Sequence, residues 1–311
     1  MIQGCPLAMA MFAVALQPHL RWADLQLQQY GGVARAGADD IYLVGPAEQT
    51  LALAEEFAAR VRPVQGAGLG LDVQRRKSEY YCPTAGTTAA ARRWIAAHPD
   101  PDRRPTDKDP VVSGTTCYGV PIGDRGFVRR ALSVKATQVA AAIEETMEVL
   151  GDERQALWHV IRLSSACKFD YWLQLNYPTD VVAAAQVVDA ALWPAMESCL
   201  GFAVPQEPCV PSRRVRLPVI HRGLGLREQG DIAPMAFLGG LEQALPHFGG
   251  DGGLMPGLQV LVGELTCSLQ VPPDERGRWD TLVGSGCRTG EELCRAHSLF
   301  LAKVEQARCR K

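Results

Sequence analysis

The sequence has no C-x-x-C pair, although it carries ten cysteines. The ligand spacing of common zinc modules and redox dithiols is therefore missing. Cys287, Cys294 and His297 come nearest to a cluster, and their spacing fits no common zinc knuckle. Scattered, reduced thiols of an intracellular protein are the expectation, in nucleus or cytoplasm. No Lys or Arg precedes Arg21, so the apolar run Leu7 to Leu16 lacks the positive n-region of a secretory signal, even though Ala13-Val14-Ala15 resembles a cleavage site. The run is also too short to span a bilayer, and no membrane association is expected. There is no G-x-S-x-G and no histidine in a triad context, which leaves a secreted cysteine-containing hydrolase as an alternative without a nucleophile motif. Nor is there an excess of basic charge: 32 Lys and Arg face 34 Asp and Glu. A nucleic-acid binder of this composition must rely on local basic stretches. No internal repeat interrupts the chain.

What is present is a chain of 311 residues, about half of it apolar, long enough for two modest domains with cores. Residues 5–20 are apolar all round and predict a buried helix. Residues 30–45, YGGVARAGADDIYLVG, predict two short strands about a turn, with Gly37, Asp39 and Asp40 where a tight turn wants them. A helix over 46–62 follows from Leu51, Ala54, Phe57, Ala58 and Val61. Brief strands are expected at Gly68–Asp72 and Ser78–Cys82, then a Pro-rich surface excursion over 83–110 with one helical turn near Ala89–Ala97, then a strand pair across Val111–Ile122. Long helical patterns take over from Phe127: 125–150, 153–175, 178–200, 231–245 and 289–308. The buried stripe of the first of these is Leu132, Val139, Ile143, Met147 and Leu150. Trp158, Phe169, Tyr171 and Trp172 read as core of the helical part. The fold class expected is α+β, a mixed piece followed by a helical one.

The sharpest local feature is Ala38-Asp39-Asp40 at the tip of the first predicted hairpin. Two adjacent carboxylates on a strand-turn-strand suit Mg²⁺, a hard cation that keeps some waters and bridges to phosphates. Turn geometry alone also explains such a pair.

The first residues, Gln3-Gly4-Cys5-Pro6-Leu7-Ala8-Met9-Ala10-Met11-Phe12-Ala13, resemble the Gln-Gly stretch that lies beside nucleotide and template in the reverse transcriptases of non-LTR retrotransposons. The Asp-Asp hairpin follows at the family's spacing. Gly68-Leu69-Gly70-Leu71-Asp72-Val73-Gln74-Arg75-Arg76-Lys77-Ser78-Glu79 resembles the next block, with Asp72 at the usual Asn position and one extra residue before Lys77. Tyr118-Gly119-Val120-Pro121-Ile122-Gly123 resembles the turn that grips the primer end. His221-Arg222-Gly223-Leu224-Gly225-Leu226-Arg227 resembles a segment found past the thumb.

The resemblance implies a partial palm over 1–123 of antiparallel strands with helices, a helical thumb and connection over 124–245, and a C-terminal helical tail over 246–311. It implies RNA-directed DNA polymerisation from an RNA template and a DNA primer with deoxynucleotides, two Mg²⁺ ions serving the intact parent. Asp39 and Asp40 would be metal ligands, Asp39 the closer to the chemistry, and Lys77 would sit near the leaving pyrophosphate. Gln3, Gly4 and Pro6 would line the nucleotide site. Gly119 and Gly123 would shape the primer-grip turn. Arg75, Arg76, Arg129 and Arg130, with the pair Arg213-Arg214, would contact nucleic-acid phosphates.

Two departures stand out. The chain begins within the Gln-Gly block, so the strand bearing a further catalytic aspartate and the fingers are not in it. The chain alone is therefore expected not to polymerise, and an unpaired palm edge is expected. Position 37, normally aromatic, is glycine, which predicts lost packing under the turn and a looser hairpin. The alternative within the same shape is a non-catalytic module that binds nucleic acid or protein.

Overall fold

The computed structural model describes residues 8–37, 39–62, 69–74, 77–99, 109–204, 215 and 223–248. It is a mixed helix-and-sheet chain that divides into two compact units, Met1–Phe127 and Val128–Lys311. Among the described residues no helix is long and apolar enough to cross a membrane.

In the first unit, helix α1 (Ala8–Gln28) precedes the antiparallel hairpin β1 (Val33–Gly37) and β2 (Asp40–Val44), followed by α2 (Ala47–Val61). The prediction of an all-round buried first helix needs correcting. Leu16, Ala23 and Leu27 are buried on one face, while Met11 and Val14 are 62% and 73% exposed. The apolar run is therefore one-sided, and the helix extends past it to Gln28. Leu16, Ala23 and Leu27 pack with Ala34 of β1 and with Leu53, Phe57 and Val61 of α2 in one core.

The strand expected at Gly68–Asp72 is also corrected among the residues described. Leu69, Leu71 and Val73 alternate toward that same core, but no ladder forms, and Gly70 has a φ of 67° that strand backbone does not take. The segment is tied instead by the Leu71 N–H donating to the Val61 carbonyl at 3.0 Å.

The single helical turn near Ala89–Ala97 is a full helix, α3 (Ala85–Ala97). Its start is fixed by a reciprocal cap: the Thr84 hydroxyl accepts the Thr87 N–H while the Thr87 hydroxyl accepts the Thr84 N–H. Strands β3 (Tyr80–Tyr81) and β4 (Val111–Val112) pair in parallel on either side of this excursion. Then β5 (Gly114–Cys117) and β6 (Val120–Gly123) form a second antiparallel hairpin.

The second unit is helical. α4 (Arg125–Leu150) starts just before it, and α5 (Arg154–Leu163), a 3₁₀ turn at Ser165–Cys167, α6 (Asp170–Leu175), α7 (Pro178–Leu200) and α8 (Gln229–Phe248) follow. The expected helix over 153–175 is thus two helices with a break. Around that break Phe169 is fully buried, and Trp158 and Trp172 pack against the core, whereas Tyr171 is 44% exposed. Leu132, Val139 and Ile143 of α4 are buried with Leu157, Ile161, Val181, Val188 and Met196. Met147 and Leu150 line the margin of that core.

Candidate active site at the acidic hairpin

The β1–β2 register runs from Val33 opposite Val44 to Gly37 opposite Asp40, so the connection is the two residues between them. That is the shortest common hairpin loop, and it places Asp39 at the tip and Asp40 at the first residue of the return strand. Both acids are exposed. The Tyr42 hydroxyl donates to the Asp40 carboxylate at 3.3 Å, as expected of residues two apart on one strand face. Asp39 has no such tether among the described residues.

Tyr42 sits in a polar corner of its own. Burial pushes its phenol up to about 12, with the Tyr118 backbone, the Cys117 thiol and the Asp40 carboxylate as neighbours. The phenol accordingly stays protonated at neutral pH and remains a donor to Asp40.

Against this hairpin lies the turn of β5–β6. Cys117 pairs with Val120, leaving Tyr118 and Gly119 as its two-residue loop. Their φ angles are 51° and 79°, the positive pair that a type I′ hairpin turn demands. Gly119 is suited to that backbone, and a Cβ there would meet open space. The Tyr118 phenol ring rests directly on Gly37, where a Cβ would collide with it. The same ring lies 5.4 Å from that of Tyr42, tilted by 39°. The expectation of an unpacked turn at Gly37 is therefore corrected, because the aromatic contact arrives from another hairpin.

Gly123 is part of a second aromatic-on-glycine contact. It faces Gly114 across the β5–β6 ladder, and the Phe127 ring covers both, so a Cβ at Gly123 would strike the Gly114 Cα and crowd Phe127.

The remaining candidates are distributed differently. Lys77 is exposed, its N–H bonded to the Gln74 carbonyl at 2.9 Å. Among the described residues its side chain makes no ion pair with Asp39 or Asp40. Asp72, at the variant position of that block, pairs with Arg62 at 3.6 Å. Arg129 donates to the nearly buried Asp180 carboxylate at 2.8 Å beside a cavity of about 270 Å³ that Ser133 and Thr179 also line. Arg130 on the same helix is exposed. Arg227 bonds Asp170 at 2.9 Å and the Cys167 thiol, a structural engagement of the Gly223–Arg227 segment. Gln3, Gly4, Pro6, Arg75, Arg76, Arg213, Arg214, the Cys287–Cys294–His297 group and the helix expected at 289–308 lie outside the described residues.

As a site for Mg²⁺, the hairpin offers two exposed carboxylates with hard oxygen donors, the kind and number the ion takes alongside waters and substrate phosphates. Among the described residues no group of three or more His, Cys, Asp or Glu gathers around one point. Sequence reasoning had not selected Tyr42 or Tyr118 as a partner of the acids. The i, i+2 spacing from Asp40 could have flagged Tyr42; nothing local flags the contact of Tyr118 with Gly37.

No family model matches this chain, and no curated protein or solved structure matches it.

Proposed function

We propose that this chain is the palm-and-thumb portion of a reverse transcriptase of the non-LTR retrotransposon type, with Asp39 and Asp40 as its share of the metal-binding acids. One observation supports this best. Two blocks of the resemblance that are distant in sequence, the Asp-Asp hairpin and the Tyr118–Gly123 turn, come into contact through Gly37 and Tyr118. In a polymerase that juxtaposition sets a primer-end grip beside the metal-holding acids.

On this reading Asp39, untethered at the tip, is the acid that reaches a metal ion directly. Asp40, oriented by Tyr42, contributes charge and a second oxygen. The bound ions would activate a 3′-hydroxyl and stabilise the departing pyrophosphate. Gly119 shapes the turn presented to the primer, and the exposed Arg130 is free to meet a phosphate. Lys77 serves as the cation near the leaving group only if a bound nucleotide draws the two together.

The test joins the chain in frame to an upstream segment that supplies fingers and a further aspartate strand, and measures Mg²⁺-dependent primer extension on an RNA template. Extension that falls at least a hundredfold with Asp39→Asn, and less with Asp40→Asn, supports the assignment. Absence of extension in every such fusion, with the chain folded, favours the non-catalytic binding module.

A further inference from the structure

We infer that Tyr118 is a positioning residue for the acid-bearing turn, its ring clamping both strands of the β1–β2 hairpin through Gly37 and Tyr42. The assignment of the turn as catalytic rests on the function proposed above; the clamp itself stands on geometry alone.

The first observation is the choice of residue. Tyr118 holds a φ of 51°, and it is the non-glycine residue with positive φ among those described. Left-handed backbone is unfavourable for a non-glycine residue, which is why Asn, Asp and Gly dominate this turn position. A tyrosine there does not serve the turn. Strained conformations persist where surrounding contacts over-determine them, and here the contacts belong to the ring.

The second observation is where the ring goes. Gly37 is the last residue of β1 and Tyr42 lies in β2, so the ring touches both strands just behind the acid tip. Gly37 has no side chain, and the bare backbone is what admits the ring: any Cβ would overlap the phenol. Glycine at 37 and tyrosine at 118 are thus two halves of one contact. The third observation connects the clamp to the acids. Tyr42 lies under the ring and donates to Asp40, so a displaced ring frees Tyr42 and with it the carboxylate.

The contact predicts non-additivity, since residues that touch do not contribute independently. Hydrogen exchange of the β1–β2 amides in the full chain reads the clamp without metal, nucleotide or activity. With Tyr118→Gly, which relieves backbone strain but removes the ring, exchange of these amides should rise about tenfold while α5–α7 amides keep their rates. Tyr118→Phe, which keeps the ring, should stay within twofold of the parent. The exchange pair Gly37→Tyr with Tyr118→Gly should restore protection to within threefold, and Gly37→Ala with Tyr118 intact should lose it. Unchanged exchange in Tyr118→Gly, equal loss in Tyr118→Phe, or a tolerated Gly37→Ala would each overturn the clamp. A confirmed clamp with no primer extension in any fusion would count against the polymerase reading and leave the clamp standing.

Discussion

The Asp24 carboxylate of α1 accepts the Ala34 N–H of β1 at 2.9 Å, an edge donor that the ladder to β2 does not use. It also binds the Arg35 guanidinium at 3.0 Å. The helix thereby takes up one of the backbone groups that an unpaired strand edge would present to another chain.

Asp24→Ala should destabilise the first unit by about 1–3 kcal/mol, because the 4%-exposed Ala34 is left with an unmet donor. Urea unfolding followed by Trp22 fluorescence measures it. The Ala34 N–H, then Arg35, hold the Asp24 carboxyl below its ordinary 3.8. Its stabilisation is therefore complete above that value and is lost as pH falls through the lower folded one. The variant should lack this increment of acid sensitivity.

Asp189 gives the opposite sign. Its carboxylate accepts the Gln229 and Gly230 N–H groups at 2.6 and 2.8 Å and so caps α8. Burial nevertheless pushes its carboxyl up to about 6, and Glu228 and Asp231 add to the rise. The folded chain holds this proton more tightly than the unfolded one, so the contribution is greatest below pH 3.8 and declines as pH climbs to about 6. The difference in unfolding free energy between the parent and Asp189→Asn should fall by about 3 kcal/mol across that window and be level above it. A flat difference curve would refute the assignment.

Arg129 and Arg130 should separate fold from binding. Arg129→Ala removes the guanidinium from the Asp180 carboxylate, 10% exposed, and should lower stability by roughly 1–3 kcal/mol. Arg130→Ala should leave stability within about 0.5 kcal/mol. If the helix lies along a template–primer duplex, Arg130→Ala should reduce the salt slope of binding by about one.

Gly123→Ala should cost roughly 1–3 kcal/mol by overpacking, since the added methyl meets the Gly114 backbone and crowds Phe127. Circular dichroism of thermal unfolding reads it, and full tolerance would mean that the glycine pair is not close-packed.

The hairpin and the helices α2, α4 and α7 were legible because turn residues and apolar spacing are local signals. Leu51, Phe57, Ala58 and Val61 are buried as their spacing implied. Helix α3 was not, because its Ala-rich body lacks a strong stripe and sits among prolines, and the Thr84–Thr87 cap is its one sharp local signal. The break between α5 and α6 was hidden because the apolar pattern runs on through it; Ser164–Lys168 marked it only weakly. Leu69, Leu71 and Val73 show the period of a strand without a partner to pair with, and a glycine of positive φ decides against one. Within the site, Asp40 and Tyr42 share a strand and so are readable together. The contact of Gly37 with Tyr118 depends on tertiary placement that periodicity does not encode.

The parallel pairing of Tyr80–Tyr81 with Val111–Val112 has an evolutionary consequence. It pins together the two ends of the stretch between them, so whatever that stretch contains begins and finishes at one place. A change in the length of that stretch therefore leaves its two pinned ends side by side, and with them the spacing of the acid hairpin and its neighbouring turn.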